Sequence, residues 1–188
     1  MIVVVFGISG VGKTFLCEAI SQRLHFKKFN KIKIRERRPD EQGHKDVIIS
    51  DEKFLNTVRE EGKIALEFKL FDNTYAFLKE DFCSTEDKVL EMSYLFFDKI
   101  KTLNKDVFTI YIFPSDIDKA IQKIKDRKLK PKEEELRIEE ARRELDFMRT
   151  NDTFLKKIDL VVYNSWESNF VDDIIDNIKR QNERIFQS

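Results

Sequence analysis

The chain has 188 residues, which is enough to bury a substantial core in one folding unit. Its 35 basic residues balance its 35 acidic ones, so the broad basic surface of a dedicated nucleic-acid binder is excluded. Hydrophobic residues make up 41% and charged residues 37%, which argues against disorder, and no apolar run approaches the roughly 18 residues that predict a membrane span.

Cysteine usage points to the same class of protein. The chain has two cysteines, Cys17 and Cys83, which suit a reducing compartment and predict no disulfide framework. We therefore expect a soluble cytoplasmic protein, monomeric or homodimeric, that has neither nucleic acid nor a membrane as a partner.

The first predicted element is a buried strand over residues 2–6, which leads into the glycine-rich segment Gly7-Ile8-Ser9-Gly10-Val11-Gly12-Lys13-Thr14. A helix from about Lys13 to Leu24 follows, because apolar residues recur there with helical spacing. A glycine-rich turn between a strand and a helix points backbone N–H groups at one spot, where a polyphosphate fits. In such a loop Lys13 would reach the β- and γ-phosphates, and the Thr14 hydroxyl would bind the Mg²⁺ that bridges them.

The middle of the chain has the short alternating and apolar runs that predict β-strands. Strands are predicted over residues 31–35, 47–49, 64–71 and 74–78, with a turn at Asp72-Asn73. Between the second and third strands, Ser50-Asp51-Glu52 has the pattern of a helix N-cap, and this helix ends near Gly62. The polar segment 35–46, with Pro39 and Gly43, predicts a loop. We expect a small, mostly β insert.

After residue 88, short apolar strands alternate with amphipathic helices. Strands are predicted over residues 89–92, 107–113 and 159–163, and helices over 95–103, 116–127, 132–148 and 170–178. This alternation predicts an α/β fold with a parallel, doubly wound sheet and helices on both faces. Glu91 is a charged residue in an otherwise apolar strand, which is costly unless the carboxylate serves a site.

Several stretches, in this order, resemble the guanylate kinase family of nucleoside-monophosphate kinases over nearly the whole chain. They are the phosphate loop, Arg38-Pro39, residues 50–54, residues 62–75, Phe113-Pro114-Ser115, Arg127 with Arg137, Ala141 and Glu144 after it, and residues 159–164. The resemblance implies a P-loop NTPase fold in a single domain. Its core would be residues 1–31, 88–124 and 141–188, its acceptor-binding region 32–87 and its helical lid 125–140.

The resemblance also implies an activity, the transfer of the γ-phosphoryl group of ATP, with Mg²⁺, to a phosphorylated small molecule such as GMP or dGMP. Lys13, Arg127 and Arg137 would stabilise the migrating group, because fixed cations match its spreading charge. The nucleotide-binding residues would be Gly7, Ser9, Gly10, Val11, Gly12, Lys13, Thr14 and Asn164, with Thr14 on the metal. The acceptor-binding residues would be Arg35, Arg38, Tyr75, Glu67 and Glu91.

Some of these residues have simpler interpretations. Glutamates surround Arg137, so it also fits a solvated helix face. Tyr75 also fits a cross-strand aromatic contact. In a strand at residues 35–38, Arg35 and Arg38 would point to opposite sides, so they would not both face the acceptor.

The sequence of one segment leaves the identity of the acceptor undetermined. Where the family reads guanine with the glutamate of Phe-Leu-Glu-Trp-Ala, this chain has Ile64-Ala65-Leu66-Glu67-Phe68, and the ungapped match is Leu66. Glu67, one residue later, would face the other side of the strand unless a bulge intervenes. The segment is similar to the Phe-Ala-Leu-x-Trp of ribose bisphosphate phosphokinases, so a sugar phosphate is an alternative acceptor. A non-catalytic binding module is a further alternative.

Overall fold

The structure of the protein is a computed structural model, in which residues 1–34, 46–70, 73–167 and 170–186 are described, and their side chains up to residue 181. Within these residues, five strands form one parallel sheet in the order β2-β7-β1-β8-β9. Their bounds are β1 Ile2–Gly7, β2 Lys27–Lys28, β7 Lys88–Glu91, β8 Val107–Pro114 and β9 Leu160–Asn164. The α/β fold with a parallel core, predicted from the alternation of strands and helices, is confirmed.

Helices flank this sheet and close its core. They are α1 Lys13–Leu24, α4 Phe97–Leu103, α5 Ile117–Lys125, α6 Pro131–Thr150, α7 Asp152–Leu155 and α8 Phe170–Phe186, with a 3₁₀ turn at Tyr94–Phe96 before α4. Every residue of β1 and β8 is buried, as expected for central strands of a sheet covered on both faces. No helix in the described ranges has the length and apolar character needed to cross a membrane.

A second sheet occupies the middle of the chain. In the described part of the molecule it has the order β4-β3-β6-β5, with β3 parallel to β4 and the other pairs antiparallel. The bounds are β3 Lys31–Ile34, β4 Val47–Ser50, β5 Ile64–Leu70 and β6 Asn73–Leu78, followed by α3 Lys79–Phe82. The mostly β insert predicted from the sequence is therefore present.

The two faces of this second sheet have different environments. One face packs on α2 (Glu52–Glu60) through a small core of Ile32, Leu55, Val58 and Ala76. The N-terminus of α2 is capped by Asp51, whose carboxylate accepts the Phe54 N–H at 2.9 Å. Because side chains alternate along a strand, the residues next to Ile32 and Ala76 lie on the opposite face, which turns toward the end of the parallel sheet.

Most predicted boundaries agree with the structure to within a few residues. The helix predicted from Lys13 to Leu24 has those bounds, and the one predicted to start at 170 continues to Phe186. The prediction omitted β2, α3 and α7, which have two to four residues each. Elements this short carry too few residues to show a period.

A buried ion pair joins α3 to the first residue of β7 in the parallel sheet. The Lys88 ammonium donates to the Asp81 carboxylate at 2.6 Å, and the Asn30 N–H donates to the second oxygen of Asp81 at 2.9 Å. Asp81 is 1% exposed and Lys88 8% exposed. Removing either charge leaves the other buried without its partner.

We expect Asp81→Ala to lower the free energy of unfolding by about 3–5 kcal/mol, because it strands a buried ammonium and a backbone N–H. The measurement is urea denaturation followed by circular dichroism. Asp176→Ala is the matched control, since Asp176 pairs with Lys179 at the surface, and it should leave the stability nearly unchanged. Equal effects of the two substitutions would contradict the interpretation.

Candidate active site

The phosphate loop is shaped by close contacts that leave no room for side chains. A Cβ on Gly10 would lie 2.3 Å from the carbonyl oxygen of Ala120 on α5, and Gly10 has a φ of +83°. The loop therefore packs directly on the backbone of α5. The Lys13 ammonium donates to the carbonyl oxygens of Gly7 at 2.6 Å and Ile8 at 2.8 Å, so it curls over the loop. Burial lowers the pKa of Lys13, although Glu91 and Glu144 act in the opposite direction.

A chain of polar contacts links the loop to the second sheet. The Thr14 hydroxyl donates to one oxygen of Glu91 at 2.7 Å, and the Lys31 ammonium donates to the other at 3.1 Å. Burial alone would raise the pKa of Glu91, but Lys31, Lys13 and the Thr14 hydroxyl outweigh it and hold the pKa well below its usual range. Glu91 is thus a negative charge at the carboxyl end of β7, held between Thr14 and Lys31.

The residues near Thr14 suit a magnesium ion. Mg²⁺ prefers oxygen ligands and keeps several waters, so it is commonly bound by one or two protein groups together with substrate phosphates. The Thr14 hydroxyl and the Glu91 carboxylate supply two such oxygens side by side. In the described ranges no three His, Cys, Asp or Glu side chains form a metal cage.

The two predicted lid arginines reach the same cleft. Arg137, on α6, is 6% exposed, and it donates to Glu133 at 2.9 and 3.1 Å and to the Ser9 hydroxyl at 3.4 Å. It is therefore held against the phosphate loop and does not lie on a solvated helix face. Arg127 follows α5 and lines the cleft beside Lys123.

Asn164 ties the last strand of the sheet to the loop. Its side-chain N–H donates to the Val11 carbonyl at 2.8 Å, and its side-chain oxygen accepts the Trp166 N–H at 2.7 Å. Asn164 and Trp166 both line the cleft, and the Trp166 ring lies 4.9 Å from the Lys119 ammonium. The side-chain amide of Asn164, a predicted nucleotide-binding residue, thus supports the phosphate loop through its bond to Val11.

The open face of the second sheet forms the opposite wall of the cleft. The cleft has a volume of about 740 Å³, and this wall presents Lys31, Lys33, Phe68, Leu70, Tyr75 and Phe77. The Phe68 ring stacks on Tyr75, with centroids 5.4 Å apart, and packs against Phe96 at 4.1 Å. Tyr75 therefore makes the cross-strand aromatic contact and also faces the cleft.

The structure corrects the prediction that Glu67 belongs to the acceptor site. The pairing of β5 with β6 shifts register between Ile64 and Leu66. From Leu66 onward the pairing is regular, so successive side chains of β5 point to alternate faces of the sheet. Leu66 is buried in the main core, whereas Glu67 lies on the α2 side, where Arg59 donates to both of its oxygens at 2.8 and 2.5 Å. The irregularity precedes Leu66 and does not turn Glu67 toward the cleft.

The remaining predicted acceptor residues, Arg35 and Arg38, lie outside the described residues, as do the loop positions Pro39 and Gly43. The sequence reasoning missed several residues that line the cleft. They are Phe15, Lys31, Lys33, Lys123, Glu140, Glu144 and Trp166. The lysines of β3 carried a usable signal, because Lys31 and Lys33 alternate with Ile32 and Ile34 and so share one face.

Comparisons with known proteins place the fold. No protein-family model matches the chain, and no curated protein sequence matches it significantly. Among solved structures, a guanylate kinase from Anaplasma phagocytophilum is 15% identical with a TM-score of 0.66, covering 98% of this chain and 84% of its own. A gluconokinase from Sinorhizobium meliloti is 14% identical with a TM-score of 0.54, covering 99% of this chain and 96% of its own.

A deoxyadenosine kinase from M. mycoides with bound dATP is 18% identical, with a TM-score of 0.50 over 97% of this chain and 100% of its own. At these identities the similarity shows the fold alone, and the chain shares the α/β fold of these three structures.

Two glycines with positive φ provide a test of the loop packing. Gly10→Ala should lower the free energy of unfolding by about 2–5 kcal/mol, because a methyl group would collide with the backbone of α5 in addition to the left-handed strain. Gly62, with a φ of +65° and open space around its Cβ position, is the matched control. Gly62→Ala should cost only about 1–2 kcal/mol, and a cost equal to that of Gly10→Ala in thermal and urea unfolding would refute the packing argument.

Proposed function

We propose that the protein is a phosphotransferase that moves the γ-phosphoryl group of Mg·ATP to a phosphorylated small molecule. The observation that carries the proposal is the convergence on one cleft of the loop cation Lys13, the Thr14–Glu91 pair and the lid arginines Arg127 and Arg137. Phosphoryl transfer needs in-line positioning and fixed charges around the migrating group more than it needs covalent chemistry.

Each residue has a defined part in the proposed reaction. The backbone N–H groups of residues 7–14 and the Lys13 ammonium bind the β- and γ-phosphates, and a guanidinium such as that of Arg137 can bind two phosphate oxygens at once. An oxygen of the acceptor attacks the γ-phosphorus, and ADP leaves. Thr14, with Glu91 beside it, would hold Mg²⁺, which neutralises charge on the β- and γ-oxygens.

A nucleoside monophosphate, such as GMP or dGMP, is the acceptor that we put first. The stacked rings of Phe68 and Tyr75 offer a planar apolar surface for a base, and the Tyr75 hydroxyl and lysines of β3 offer donors for a phosphate. The base itself is not specified, because the described residues of this wall present no carboxylate, and the nearby Glu91 at the end of β7 is already bonded to Lys31 and Thr14.

A sugar phosphate is the second candidate, and Leu66 favours it. At the position where the guanylate kinase family has the glutamate that binds guanine, this chain has the buried aliphatic side chain of Leu66. Lys31 and Lys33 add two positive charges to the second-sheet wall of the cleft. A non-catalytic binding module is disfavoured, because such a module would not need the loop lysine together with two arginines at the cleft.

The test is ADP release from Mg·ATP with a panel of acceptors: GMP, dGMP, the other nucleoside monophosphates and ribose bisphosphate. Turnover with at least one of them is expected. Lys13→Met should lower kcat/KM by about 100-fold or more, because it removes the cation that faces the migrating group. Lys156→Met, an exposed lysine on the surface, is the matched control. No turnover with any acceptor, and no binding of Mg·ATP, would refute the proposal.

The acceptor wall can be tested with residues on its two faces. Tyr75→Phe keeps the aromatic contact and removes only the hydroxyl, so KM for the active acceptor should rise about 10-fold or more if that hydroxyl donates to a phosphate. Glu67→Gln, on the opposite face of the same sheet, should leave KM within about twofold. The reverse pattern in steady-state kinetics would return Glu67 to the site and remove Tyr75 from it.

A further inference from the structure

Glu144 is a buried carboxyl group in the cleft wall that the proposed transfer does not yet use. It lies on α6, about two turns after Arg137, and is 3% exposed. One of its oxygens accepts a hydrogen bond from the hydroxyl of Tyr111 at 3.0 Å, and Tyr111 is itself wholly buried on β8. In the described part of the chain, no lysine or arginine lies within ion-pair distance of Glu144.

The charged and titratable groups that face Glu144 come from four elements. Lys13 approaches from the phosphate loop, Tyr111 from β8, Tyr94 from the 3₁₀ turn and Glu140 from the preceding turn of α6. Burial raises the pKa of Glu144 to about 7, with Glu140 adding to the rise and Lys13 and Tyr111 opposing it. The charge of this carboxyl therefore changes near neutral pH.

A polyphosphate on the loop changes this balance. Lys13 is the cation that favours the charged form of Glu144, and phosphate oxygens bound to Lys13 bring several negative charges to the same place. Both effects disfavour a second anion in the cleft wall. The Glu144 carboxyl can relieve this repulsion by taking up a proton from solvent.

We propose that Glu144 is a proton-accepting binding residue of the phosphate site, neutral when the donor polyphosphate is bound and predominantly charged above neutral pH when it is not. The proton is held on the carboxyl oxygen that Tyr111 does not contact. Binding of the donor is then accompanied by proton uptake. This inference rests on the proposed function, because it assumes that the loop binds a polyphosphate.

Calorimetric titration of the protein with Mg·ATP, without acceptor and in buffers of different ionisation enthalpy, counts the protons taken up. Between about pH 7 and 8 we expect the wild-type protein to take up more than about half a proton beyond Glu144→Gln, which preserves the shape of the side chain. The association constant should fall as pH rises above about 7, by up to tenfold per pH unit, and this slope should be lost in Glu144→Gln.

Two neighbouring substitutions separate this role from a structural one. Tyr111→Phe removes the hydrogen bond that lowers the pKa of Glu144, so the pH of maximal uptake should move upward. Glu140→Gln removes a negative charge that raises the pKa of Glu144, so the maximum should move downward. A loss of packing alone would weaken binding without moving the profile in opposite directions.

The outcomes distinguish this inference from the proposed function. Mg·ATP binding with the same proton count in wild type and Glu144→Gln overturns the role of Glu144 and leaves the kinase proposal intact. Loss of the uptake in Glu140→Gln, with retention in Glu144→Gln, assigns the proton to Glu140 and also overturns it. Absence of any Mg·ATP binding to the wild-type protein overturns both proposals.

Discussion

The parallel register of β1 with its two neighbours is the constraint on which the cleft depends. Val5 pairs with Glu91 on β7, and Gly7 pairs with Ile112 on β8. Parallel strands end at the same edge of a sheet, so this register brings the phosphate loop and the carboxylate that accepts from Thr14 to one place. Since side chains alternate along a strand, a slip of β7 by one residue would turn Glu91 away from the loop.

The second sheet depends on the same rule in a different way. Alternation along β3, β5 and β6 divides the sheet into an apolar face that packs on α2 and a face with lysines and aromatic rings that closes the cleft. Packing of the apolar face on α2 holds the sheet in position, and the sheet in turn positions the aromatic rings and lysines on its other face. Thus Ile32 and Ala76, which pack on α2 and do not line the cleft, help to determine where Lys31 and Tyr75 lie.

The donor half of the cleft can be predicted from the sequence because its signals are local. The glycine spacing, the apolar strand before it and the helical period after it all lie within residues 2–24. The acceptor half is less predictable. Alternation correctly separates Leu66 from Glu67, but only the position of the irregularity, before Leu66, decides which of them faces the core.

The burial of Glu144 and the partial burial of Lys31 could not be predicted from the sequence. Their positions in the sequence resemble those of ordinary surface charges, and their burial follows from packing between distant segments. For Arg137, the location could be predicted from the sequence but the hydrogen bonds could not. The family resemblance predicts its place at the cleft, but its bonds to Glu133 and Ser9 depend on how α6 packs against the loop.

The bond between Arg137 and Glu133 has a consequence for which anions the cleft retains. A guanidinium bonded to a carboxylate of its own helix gives up that partner only to a ligand that offers it more. A singly charged anion gains little by the exchange, whereas a chain of phosphates offers several charges to one fork of N–H groups. Glu133 is thus placed to compete with an incoming anion for the Arg137 guanidinium, and an anion that carries several charges competes with it more strongly than one that carries a single charge.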